Sequence, residues 1–77
     1  MWNKQQIRNL NQKANAYCGD DYVRDHLDAL NFHLNNYEML TLPQKRIEQW
    51  KEVECEADHI RDRFFQILER DALRGHS

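Results

Sequence analysis

Apolar residues fall at Ile47, Trp50, Val53, Ala57, Ile60, Phe64 and Ile67, in steps of three and four that draw one stripe along a helix. No Gly or Pro lies between Pro43 and Arg74. The pattern therefore predicts a single helix over residues 42–74. At about 1.5 Å per residue it would measure on the order of 45 Å, longer than a compact chain of this size is wide.

Two shorter stripes precede it. Ile7, Leu10, Ala14 and Tyr17 share one side of a predicted first helix over residues 3–18, with Asn3 as its cap and Gly19 as its stop. Asp20 and Asp21 then offer a new cap and negative charge where the helix dipole favours it. Val23, Leu27, Leu30, Leu34 and Tyr37 continue as the seam of a second helix over residues 21–40, which Phe32, Met39 and Leu40 broaden near its end. Thr41-Leu42-Pro43-Gln44 marks the next boundary: a Thr cap, a Pro in the first turn, and Gln at the capping-box position. Pro43 also disfavours helical dihedrals at Leu42. So short a link makes helices two and three an antiparallel hairpin. The expected fold is all-α, one domain of three helices.

If that hairpin turns at Thr41, residues equidistant from it are level. The acidic start of helix two, with Asp20, Asp21, Asp25 and Asp28, then lies near Arg61 and Arg63, and His26 is level with Glu56. The acidic stretch Glu48, Glu52, Glu54, Glu56 and Asp58 faces no cation on helix two, which leaves Lys4, Arg8 and Lys13 of helix one to accompany it. Helix three also outreaches helix two. Beyond Asp62 it carries Phe64, Phe65, Ile67, Leu68 and Leu73. At roughly 1.5–3 kcal/mol per fully buried large apolar side chain, this end needs cover. Helix one either runs on from helix two over that end or folds back into a bundle; the favoured arrangement folds back, with a second copy of the chain over the remainder. Phe64 and Phe65 are adjacent, so one of them must meet a second surface.

Composition narrows the function classes. A chain of 77 residues, 40% hydrophobic and 31% charged, with mean hydropathy −1.01, suits amphipathic helices and offers little volume for a buried catalytic chamber. The net charge of −2, from 11 basic and 13 acidic residues, supplies no general attraction to nucleic acid or anionic lipid. The start, Met1 to Gln6, has no signal-peptide pattern, and no apolar run approaches a membrane span, so a cytoplasmic location is expected. Cys18 and Cys55 read as free thiols.

Candidate chemistry is sparse. Glu56 and His59 have the i, i+3 spacing of carboxylate-bridged metal sites in bundles, and Glu52, Cys55 and His59 share a side from which zinc could be held with His26 or His33. Helix two lacks the matching motif, so no metal or cofactor is expected. Cys18 near a helix C-terminus and Cys55 among glutamates are poor nucleophiles. There is no phosphate-binding Gly loop, and the single Ser is Ser77.

These readings converge on a non-enzymatic, protein-binding regulator, an adaptor or an inhibitor. It would act through the apolar end of helix three (Phe64, Phe65, Ile67, Leu68) and its acidic stretch (Glu48, Glu52, Glu56, Asp58), and form a homodimer. The alternative is a dimeric nucleic-acid-binding regulator using Lys45, Arg46, Arg61, Arg63, Arg70 and Arg74, joined by Lys4, Arg8 and Lys13. The neighbouring carboxylates weigh against it.

Overall fold

The computed structural model describes residues 1–75, and side chains through residue 73. Its elements are α1 (Lys4–Asn15), α2 (Asp21–Met39) and α3 (Pro43–Gly75). Helices α2 and α3 form the expected antiparallel hairpin, and α1 folds back to pack on both. Contacts fix its direction: Lys4 meets Glu38 and Asn11 meets Asn31, so α1 runs antiparallel to α2 and parallel to α3. The long α3 sets the shape, with extents of 53 × 22 × 16 Å and a radius of gyration of 14.2 Å; a compact chain of this length would have roughly 11–12 Å.

Each helix start is built from local chemistry. Asn3 accepts from the Gln6 backbone N–H at 2.8 Å while the Gln6 side chain accepts from the Asn3 N–H at 2.9 Å, a complete capping box. Asp20 Oδ1 accepts from the N–H groups of Tyr22 and Val23 at 3.0 and 3.2 Å. At α3 the cap falls one residue later than the Thr41 expected. The helix opens on Pro43, and the carbonyl of Leu42 takes the first turn's hydrogen bond from the Arg46 N–H at 3.0 Å.

The end of α1 also differs from expectation. It stops at Asn15, and the backbone tightens into short bonds from Ala16 to Lys13, Tyr17 to Ala14 and Asp20 to Tyr17. Gly19 does not adopt a positive φ, so the stop is not a left-handed glycine cap. The tighter winding turns Tyr17 onto Phe64, with ring centroids 5.1 Å apart, and delivers Asp20 to the head of α2.

The core is the three stripes brought together. Ile7, Leu10 and Ala14 of α1, Val23, Leu27 and Leu30 of α2, and Val53, Ala57, Ile60 and Phe64 of α3 are buried, with Trp2, Tyr17, Leu34, Trp50 and Ile67 packed around them. The alanines at 14 and 57 are fully enclosed, where a larger side chain would push the helices apart. Ile47, expected on the seam, is 59% exposed, because it lies at the turn end beyond the reach of α1. Phe32 and Met39 are exposed as well, on the outer side of α2. Among the described residues no helix is long and apolar enough to cross a membrane.

Candidate functional site

The hairpin register centres on Thr41. His26 and Glu56, equidistant from it, meet with the carboxylate accepting from Nδ1 at 2.6 Å. His33 and Gln49, also equidistant, are joined at 2.7 Å. Near the open end, Arg63 donates to Asp20 Oδ2 from Nε at 3.2 Å and from a terminal nitrogen at 2.8 Å. The two oxygens of Asp20 thus do separate jobs, one capping α2 and the other holding α3. The Arg63 hydrogen bonds, followed by the capping N–H groups, hold the Asp20 carboxyl below the usual carboxylate range against the opposing effect of its burial.

Of the residues expected to form an interface, the structure divides the apolar group in two. Phe64 is only 6% exposed, closed over by Tyr17 and by Lys13, whose ammonium lies 5.5 Å from the ring centroid. Ile67 is partly buried against the core. Phe65 is 62% exposed and Leu68 49%. Together with Gln6, Asn9, Leu10 and Lys13 of α1, these two line an open groove of about 290 Å³ between α1 and α3. Leu73, further along, is exposed too.

The acidic residues separate similarly. Glu56 is engaged by His26, and Asp58 by the Trp2 indole at 2.8 Å and by Arg61 at 3.4 Å. Glu48 and Glu52 remain exposed. Helical geometry of about 100° per residue puts Glu52 and Glu56 roughly 140° and 180° round α3 from Phe65. One flat partner therefore cannot touch both the apolar groove and that acidic face.

Lys4 and Lys13 of α1 do not pair with the acidic stretch of α3 as expected. Lys4 lies 3.8 Å from Glu38 on α2, and Lys13 covers Phe64. The hydrophobic stripe determines how α1 is rotated, and its charges follow. In the Arg-rich tail, Arg61 is held by Asp58 and Asp62 and Arg63 by Asp20, while the side chain of Arg74 lies outside the described residues, as does Ser77.

His59 sits beside this hairpin contact, its ring 5.0 Å from that of His26 and its Nε2 3.8 Å from Cys55 Sγ. Among the described residues no group of three or more His, Cys, Asp or Glu side chains is arranged to hold a metal ion. Cys18 and Cys55 are both free and exposed.

Trp2 acts as a latch between the start of the chain and α3. Its backbone N–H donates to Glu54 at 2.8 Å, its indole to Asp58 at 2.8 Å, and its carbonyl accepts from the Trp50 indole at 3.3 Å. Arg61 stacks over the ring at 5.6 Å. Trp2 lies across the α1/α3 groove and borders both the Phe65 groove on one side and a cavity around Trp50 on the other. No family model, curated protein or solved structure matches this chain.

Proposed function

We propose that this chain is a non-enzymatic helical regulator that binds another protein through the groove between α1 and α3. The observation carrying this reading is the pair Phe65 and Leu68, one turn apart and both exposed beside Leu10 in an open groove. Such a groove accepts the apolar face of an amphipathic helix. Phe64 forms the floor of the groove, Ile67 packs against the core outside it, and the exposed Glu48 and Glu52 lie on another face of α3.

Magnitudes bound the contact. Covering the exposed parts of Phe65 and Leu68 contributes roughly 2–4 kcal/mol. Association costs about 4 kcal/mol or more. A stable complex therefore extends beyond these two side chains, toward the exposed Leu73 at one end of α3.

Light scattering on the native chain and on Phe65→Asp tests the proposal. A native dimer that the substitution returns to monomer identifies a second copy as the occupant. If the native chain is a monomer, photo-crosslinking from position 65 in the native host should join it to a defined protein, and Leu68→Asp should abolish the product. A monomer that yields no specific product overturns the reading.

A further inference from the structure

At the turn end of the bundle, on the far side of Trp2 from the Phe65 groove, lies a second cavity of about 540 Å³. Its volume is in the range of small-molecule sites, which combine apolar walls with a few converging polar groups. Trp50, Tyr37, Trp2 and Ile47 supply the walls, and Lys4, Arg46 and Lys51 bring three cations to its edge. The lining has one carboxylate, Glu54, which is already accepting from the Trp2 backbone N–H. On a chain whose net charge is −2, this is a local reversal of sign.

The cations are incompletely matched. Lys4 lies 3.8 Å from Glu38. Among the described residues Arg46 and Lys51 form no ion pair, and the Nε of Arg46 is sequestered without a hydrogen-bond partner. The Arg46 guanidinium is not free to swing away, because it stacks on the Tyr37 ring at 4.3 Å. A held guanidinium with its outer edge uncommitted is a receptor for a carboxylate.

The same contacts argue against a cationic guest. Aromatic rings around a cavity attract cations only when their faces are free. Here Tyr37 already has Arg46 at 4.3 Å and Lys4 at 5.5 Å from its centroid. A further positive charge would be repelled by three others.

We infer that this cavity binds a small organic anion, a carboxylate attached to a flat apolar ring system, with the ring between Trp50 and Ile47 and the carboxylate toward Arg46 and Lys51. The site is separate from the Phe65 groove and does not depend on the protein-binding reading.

Both tryptophans of the chain border the cavity, so their two indole N–H signals in a nitrogen–proton correlation spectrum report directly on it. Titration with 2-naphthoate should move the Trp50 signal along a saturating curve with a Kd below about 1 mM. The neutral 2-naphthamide and the cationic 2-naphthylmethylamine should bind at least tenfold more weakly. Arg46→Met keeps the aliphatic stem and should weaken naphthoate binding at least tenfold; Lys51→Met should weaken it less. Lys45→Met, outside the cavity, and Phe65→Asp, in the other groove, should leave it unchanged. Circular dichroism on each variant separates lost binding from lost fold, and Lys51→Met on the exposed face keeps the test available if Arg46→Met unfolds. Equal affinity for acid and amide, unsaturable shifts, or a folded Arg46→Met or Lys51→Met pair that binds like the native chain would overturn the assignment.

Discussion

The indole N–H of Trp2 donates to Asp58 across 56 positions of sequence, at 2.8 Å. Trp50 returns a bond to the Trp2 carbonyl, and Glu54 takes the Trp2 backbone N–H. Trp2, which precedes the Asn3 cap of α1, is thereby fixed to three successive turns of α3, and it sets how α1 lies over the hairpin. Trp2→Phe keeps an aromatic ring, though a smaller one, and loses the indole hydrogen bond, which alone should cost about 0.5–1.5 kcal/mol. Trp2→Ala also removes the ring and should cost about 2–3 kcal/mol. For a domain of this size each kcal/mol moves the melting temperature by about 4–8 °C. A Trp2→Ala chain that melts with the native one would show the latch to be idle.

Asp20 joins the head of α2 to Arg63 of α3. Because Arg63 and the capping N–H groups hold its carboxyl below the usual range, its charged form is favoured in the folded chain. The contribution is fully present above the unfolded-state value, about 3.9, and is lost as pH falls through the lowered folded-state value. Urea midpoints measured between neutral pH and acid should decline in this window. Asp20→Asn retains a cap and should flatten that part of the decline. Asp20→Ala should be the less stable of the two at neutral pH, since it loses the cap and the Arg63 contact together. A decline of the same depth in Asp20→Asn would place the acid sensitivity elsewhere.

Periodicity made the core legible because burial on a helix depends on spacing. Val23, Leu27 and Leu30 facing Val53, Ala57 and Ile60 follow from the stripes alone, and the Thr41 turn set the level at which His26 meets Glu56. What periodicity could not supply was the neighbour of each polar side chain. Charge matching sent Lys4 toward the acidic stretch of α3, yet it lies beside Glu38, because the Ile7, Leu10 and Ala14 stripe turned α1 first. The Trp2 latch had no local signal, since its three partners come from α3. Of the expected interface, Phe65 and Leu68 remain open while Phe64 is closed in by Tyr17, a residue whose position depends on the tightened turn after Asn15.

That turn yields a prediction about Gly19. No heavy atom lies within 4 Å of where a Cβ would stand, and its φ is not positive. An alanine fits without strain and has fewer unfolded conformations to lose. Gly19→Ala should therefore stabilise by about 0.4–1 kcal/mol, read from the denaturation midpoint at unchanged slope. A marked destabilisation would mean that the connection needs a conformation that alanine resists.

Phe64 and Phe65 are neighbours in sequence with opposite expected behaviour. Phe64 fills the space between Tyr17, Lys13 and Leu10 at the open end of the bundle, so Phe64→Ala should cost about 3–5 kcal/mol. That is a large part of the stability of a small domain, and the helical signal should fall at a much lower urea concentration. Phe65→Ala removes a ring that is already 62% exposed, and should shift stability by no more than about 0.5 kcal/mol while weakening whatever association the groove supports. The contrast is the test: equal destabilisation by the two substitutions would mean that Phe65 belongs to the core, and no effect of Phe65→Ala on either stability or association would remove the groove from the protein's function.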